Sequence, residues 1–157
     1  PIEPPASVPP TEFCAWRGKR VQGEVHDENA ASLGGAAGHA GLFGTASEVA
    51  LIGQLYLDEG GGFISARLAR EAVRPQIADR GLGWQLRPAD PESTVHALSP
   101  RSYGHTGFVG NALWIDPERQ LVAAVLTNNV FFGRQDRQIF SFRRRFHDLL
   151  IKALETL

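Results

Sequence analysis

The sequence predicts an α+β chain: an antiparallel sheet built around a hairpin over about residues 111–128, packed by helices over about 46–58, 65–73 and 137–156. Two patterns predict it. Asn111-Ala112-Leu113-Trp114-Ile115 and Leu121-Val122-Ala123-Ala124-Val125-Leu126 are apolar runs joined by Asp116-Pro117-Glu118-Arg119, the pattern of two strands and a tight connection. Both runs carry apolar side chains at odd and even positions, so their sheet is covered on both faces. Much of the remaining chain falls into capped segments with apolar residues every three or four positions, the helical period.

In chain order, Pro1 to Pro10 holds five prolines and reads as an extended connector, neither helix nor signal peptide. Residues 11–33 are polar and poorly periodic, predicting a long irregular segment. Val25-His26-Asp27-Glu28-Asn29 is the polar knot within it. His26 and Asp27 are expected to pin the loop by hydrogen bonds to neighbouring backbone, since no His-x-x-x-His or paired-cysteine spacing supports a metal. Gly34, Gly35, Gly38, Gly41 and Gly44 allow tight turns, and without a following Gly-Lys-Ser/Thr they do not predict phosphate binding. His39 among them is expected to be packed and hydrogen-bonded.

Thr45-Ala46-Ser47-Glu48 is a capping box. The helix behind it carries Val49, Ile52, Leu55 and Tyr56 as a core stripe and stops at Glu59-Gly60-Gly61-Gly62. Ser65 caps a second helix running through Val73, ahead of Pro75. Gly83-Trp84-Gln85-Leu86 predicts a short strand with Trp84 as a buried aromatic. Residues 87–101, rich in Pro, Ser and Asp, predict a surface excursion. The last helix has the stripe Phe142, Phe146, Leu149, Leu150, Ala153 and Leu157. Arg143-Arg144-Arg145 is expected on its solvated face, with Arg144 one turn from Asp148.

Into the first hairpin strand leads Tyr103-Gly104-His105-Thr106-Gly107-Phe108-Val109-Gly110, an imidazole, a hydroxyl and a bare backbone side by side. Together with Gly23-Glu24-Val25-His26-Asp27-Glu28-Asn29-Ala30, Gly38-His39-Ala40-Gly41-Leu42-Phe43-Gly44-Thr45-Ala46, Gly81-Leu82-Gly83-Trp84 and the terminal Leu126-Thr127-Asn128 of the hairpin, this stretch resembles the serine β-lactamases, penicillin-binding proteins and related esterases. His105-Thr106-Gly107 is similar to the family's third active-site motif, Lys-Thr-Gly with a His-Thr-Gly variant. The resemblance runs from about Pro10 onward. It implies that residues 11–157 are the C-terminal part of one catalytic domain of the β-lactamase/transpeptidase-like fold. It also implies an acyl-enzyme mechanism, in which His105 stands at the Lys position, Thr106 orients substrate, Gly107 keeps the wall bare and the Phe108 N–H helps to hold the oxyanion.

The attacking group is missing from this pattern. Trp16 and Leu149 stand three residues before Lys19 and Lys152, so no Ser-x-x-Lys is formed, and the family's Tyr-x-Asn or Ser-x-Asn has no match. With no methionine in the chain, the expectation is that a preceding N-terminal half carries the nucleophile. Histidine, with a reference pKa near 6.5, holds an anionic carboxylate less well than lysine. The resemblance therefore points to a small-molecule ester, amide or peptide substrate, in an esterase or peptidase-like protein ahead of a true β-lactamase. The competing reading is a non-catalytic binding or structural fragment of the same fold.

Ala30-Ala31-Ser32-Leu33-Gly34 is a loose cousin of the nucleophile elbow, but Gln22 to Asn29 is too polar for the buried strand an elbow follows. Cys14 with His26 or His39 lacks a supporting motif, and one cysteine excludes an internal disulfide. Net charge of −1 predicts no nucleic-acid partner. No apolar run approaches the roughly 20 residues of a membrane span. No cofactor or metal is expected, compartment is not readable, and an uncovered sheet edge would favour pairing with a second copy.

Overall fold

The structure, a computed structural model, describes residues 8–135 and 138–156. Most of the Pro-rich connector and Leu157 of the last stripe lie outside the described residues. Two two-residue strands, β1 (Phe13–Cys14) and β2 (Lys19–Arg20), pair antiparallel and are followed by a short helix α1 (Glu28–Ser32). Helices α2 (Ala46–Leu57) and α3 (Ala66–Ala72) come next. Strands β3 (Gln85–Leu86), β4 (Tyr103–Thr106), β5 (Ala112–Asp116) and β6 (Leu121–Val125) form one antiparallel sheet in that order, and α4 (Gln138–Leu154) ends the chain. This is the α+β architecture that the sequence predicts.

Alternation along β5 divides the core. Ala112 and Trp114 face one way and pack with Val95, Leu98 and Ile151. Leu113 and Ile115 face the other way, where they and Val122 meet α2 at Gly53. A Cβ at Gly53 would stand 2.5 Å from Val122 Cγ1, so the helix rests on the sheet through a residue without a side chain. Consequently Val49, Leu55 and Tyr56 are only half-buried and Ile52 is 41% exposed, which departs from the expected core stripe. Both N-caps form as expected: Thr45 and Glu48 exchange bonds of 2.7 and 3.3 Å, and Ser65 accepts from Leu68 N–H at 3.3 Å. Trp84 is half-buried in a cluster with Tyr56 and Tyr103, and burial beside Tyr56 pushes the Tyr103 phenol up to about 12.

Several expectations fail because contacts between segments remote in sequence, which local pattern does not show, decide what is buried. Residues 87–101 are no mere surface excursion, because Val95 and Leu98 belong to the core and Ser99 and Ser102 are buried. The stripe that α4 buries is Ile139, Arg143, His147 and Ile151, whereas Phe142 and Leu149 are exposed. Arg143 is thus not on a solvated face, and Arg144 pairs with Glu92 at 2.8 Å instead of with Asp148. Residues 11–33 are also less irregular than expected, holding β1, β2 and α1. Their chain lies along the segment after β6: Arg20 donates to Phe131 O at 3.0 Å and Asn128 Nδ2 to Pro10 O at 2.5 Å.

Asp116 closes the β5–β6 turn from inside. Its carboxylate, 1% exposed, accepts from Ser99 N–H and Oγ, Glu118 N–H, and Arg119 N–H and Nη1. Burial alone would raise its pKa, but the bonds from Ser99 and Arg119 outweigh that and hold it below the ordinary value. The group therefore stabilises the fold above the unfolded-state pKa of about 3.9, and that contribution is lost as pH falls through the folded value. Asp116→Asn should cost roughly 2–3 kcal/mol near pH 7 in urea unfolding, and its stability should decline less than the wild type's below about pH 4. His147 is 1% exposed, and burial lowers its pKa against the opposing bond from its Nδ1 to Thr94 O. A lowered histidine contributes stability above about pH 6.5 that is lost as pH falls toward the folded value. Urea midpoints at pH 7.5 and 5.5 should therefore differ less for His147→Gln than for the wild type.

Candidate functional site

The His-Thr-Gly triplet ends β4. On one side β4 is fully paired, His105 with Leu113 and Thr106 with Ala112. On the other side β3 reaches only Gly104 and Tyr103, so the margin beside His105 and Thr106 has no strand partner among the described residues. Gly104 is required where it stands, because a Cβ would fall 2.3 Å from Leu113 O and against the Trp114 ring. Pleating then splits the triplet: exposed His105 shares the α2 face with Leu113. Thr106 lies on the opposite face and lines a cavity of about 160 Å³ with Gln85, Val95, Trp114 and Arg143.

Hydrogen bonds define the state of His105. Its Nδ1 lies 2.8 Å from Thr106 O, which can only accept, and its Nε2 lies 3.3 Å from Arg80 Nη1, which can only donate. Nδ1 therefore carries the hydrogen and Nε2 the lone pair. Arg80 brings a guanidinium to the margin, with Asp79 3.5 Å from its Nε.

Beyond the triplet the chain folds back in a turn over Gly107 to Asn111. Gly107 N–H donates to Asn111 O at 2.7 Å and Gly110 N–H to Gly107 O at 3.1 Å. Gly110 has φ +112, and a Cβ there would stand 2.0 Å from Thr127 Oγ1, so no other residue fits without rearrangement. Buried Arg143 reaches up from α4 and donates to Gly107 O and Asn111 O at 2.9 Å each, and to Gly110 O at 3.3 Å. The N–H of Phe108 donates to no group among the described residues.

The Phe108 ring is 65% exposed, yet it is held. His26 stacks on it with 5.8 Å between centroids, and the Arg134 guanidinium lies 5.5 Å from its centroid. Arg134 also bonds Glu12, at 2.6 Å, and Glu28, while His26 Nε2 lies 2.8 Å from Glu12. The hydrogen bond that Arg134 donates to Glu28 lowers the Glu28 pKa, and the bonds that it donates to Glu28 and Glu12 raise its own. In the rest of the polar knot, Asp27 caps α1 by accepting from Ala30 N–H at 2.8 Å and bonds His39 at 2.9 Å. Those two bonds hold its carboxyl below the ordinary value. His26 therefore pins the loop through a distant side chain instead of neighbouring backbone, and His39 is hydrogen-bonded but half in solvent.

Other sequence candidates are not assembled. Cys14 is buried, and Ser32 sits at the end of α1 with its hydroxyl on Glu28 O at 2.9 Å, with no strand leading into it. Among the described residues no group of three or more His, Cys, Asp or Glu side chains could hold a metal ion. Sequence reasoning missed Arg80, Arg134 and Arg143. Only Arg143 left a signal, its place in the four-residue series Ile139, Arg143, His147 and Ile151.

The family model described as Beta-lactamase covers residues 4–144. The chain belongs to the β-lactamase family. Relatives from Salmonella agona, Salmonella paratyphi B and Salmonella newport, each named "Putative D-alanyl-D-alanine carboxypeptidase", are 37% identical over 74% of this chain. The matched region makes up 29% of each relative, so the chain spans less than a third of their length.

The ion network beneath Phe108 is partly solvent-exposed, which limits its worth. Arg134→Met should destabilise by about 1 kcal/mol at low ionic strength, with the difference shrinking in about 1 M salt. Thermal melts at the two salt concentrations read it directly.

Proposed function

We propose that this chain is the C-terminal part of a β-lactamase-like serine hydrolase, supplying the substrate and oxyanion wall of an acyl-enzyme site. The serine and its lysine come from a preceding N-terminal half. The observation that carries this reading is the N–H of Phe108, which donates to no group among the described residues, beside exposed His105 and Gly107 at an open sheet margin. Acyl transfer needs backbone donors aimed at the carbonyl oxygen as its charge develops. Phe108 N–H is one; the N–H of the nucleophile supplies the second. Gly107 gives access, Thr106 orients substrate with its hydroxyl, and His105 presents the Nε2 face to the cleft.

The substrate class is an ester, amide or peptide. Lysine is absent from the triplet, but Arg80 stands 3.3 Å from His105 Nε2. A cation is therefore present for a peptide carboxylate, which favours the peptidase branch and fits the name carried by the relatives. Arg80→Gln should raise KM about ten-fold for a substrate with a free carboxylate and leave its methyl ester within about two-fold.

A serine-reactive fluorophosphonate probe tests the split site. The intact gene product should be labelled at the serine of a Ser-x-x-Lys, and the 157-residue chain alone should not. Phe108→Pro, which deletes the donor N–H, should slow labelling of the intact product about 10²-fold. Labelling of neither polypeptide supports the alternative, a non-catalytic binding fragment, which the lack of Ser-x-x-Lys in this chain favours.

A further inference from the structure

We propose that Arg143 is the positioning residue of the Phe108 N–H, fixing and polarising the Gly107–Phe108 peptide from inside the fold. The inference rests on Phe108 being the oxyanion donor. Gly107 C=O and Phe108 N–H belong to one peptide unit, and the described chain has no cis peptide bond. In a planar trans unit the two bonds point in opposite directions. Arg143 Nη2 donates to Gly107 O at 2.9 Å from beneath the turn, so the N–H is aimed outward, away from α4. The same guanidinium holds Asn111 O and Gly110 O, at 2.9 and 3.3 Å, which stops the turn from rocking about Gly107.

The chemistry of this contact explains its cost. Arg143 is 5% exposed, and among the described residues no carboxylate pairs with it. Carbonyl dipoles are its whole counter-charge, an expensive arrangement for a buried cation, and burial pulls its pKa down. Charge-assisted bonds to three oxygens offset that cost. The rigid planar fork divides the task, Nη2 donating to Gly107 O and Asn111 O and Nε to Gly110 O, a fixed geometry that a compact ammonium on a flexible stem does not reproduce. A cation on the carbonyl oxygen also draws electron density through the amide, making its N–H a stronger donor. His26 and Arg134 steady the Phe108 side chain without occupying that N–H. Arg143 touches no substrate and acts only through the peptide.

The test has two arms. With ¹³C-carbonyl glycine and ¹⁵N phenylalanine, the chain gives two Gly–Phe cross peaks, Gly62–Phe63 and Gly107–Phe108. In Arg143→Lys and Arg143→Gln the Gly107–Phe108 peak should move, its carbonyl upfield, while Gly62–Phe63 stays. Arg145→Gln, an exposed position on the same helix, should move neither. An unmoved Gly107–Phe108 peak in a folded Arg143 variant overturns the proposal. If both variants unfold, the wild type decides: nuclear Overhauser contacts from the Arg143 side-chain N–H protons to the 107–111 turn support it, and their absence overturns it. In the intact gene product, Arg143→Lys should lower kcat for an activated ester about ten- to hundred-fold with KM within about two-fold. Equal loss in both parameters, or an unchanged kcat, overturns the positioning role. An intact product that fluorophosphonate does not label overturns the oxyanion reading itself, a failure the cross peaks distinguish from a failure of Arg143 to hold the peptide.

Discussion

Trp114 and Ile115 are neighbours in sequence, point to opposite faces of β5, and are both buried. A strand in that position must be covered twice. On one side α2 comes close enough for Gly53 to meet Val122 and Ile115 directly. On the other, Val95 and Leu98 from the connection before β4 and Ile151 from α4 close over Trp114 and Ala112. Everything that places the triplet follows from this double cover. The register that pairs Thr106 with Ala112 and His105 with Leu113 sends one side chain to each layer, and the turn beyond is left where α4 can reach it from below.

The second determinant is polar. Asp116, Arg143 and His147 are all buried, and each is answered mainly by backbone groups or short hydroxyl and guanidinium contacts. Such groups contribute little net stability compared with apolar replacements, but they are selective, since removing one partner strands the other in a dry interior. They sit at places where the backbone must be held in one conformation: the β5–β6 turn for Asp116, the connection at Thr94 for His147, and the turn after the triplet for Arg143. The candidate site is thus organised by backbone orientation more than by side-chain reactivity.

Much apolar surface remains uncovered. Phe142 and Leu149 on α4 and Leu51 and Ile52 on α2 are exposed, and β6 is an edge strand in the described sheet. Edge strands and apolar faces of this kind call for a cover. The proposed N-terminal half would provide one, and a second copy of this chain would be its competitor.

The sequence by itself determined the hairpin, the capped helices and the position of the triplet, because each rests on local rules. The continuous apolar runs at 112–115 and 121–126, the Thr45–Glu48 box and the Gly-Gly-Gly stop at 60–62 act within a few residues of themselves. Only the tertiary structure decided which of two stripes on α4 is buried, since the apolar Phe142–Leu149 face looks better by hydropathy than Ile139–Arg143–His147–Ile151. Partners remote in sequence decide that contest: Gly107, Gly110 and Asn111 accept from Arg143, and Thr94 accepts from His147. The same holds for Arg80 at His105 and for Arg134 across Glu12 and Glu28. A charged side chain enters a site when distant backbone or an opposite charge receives it, and that information lies in the packing of the chain, outside any local window.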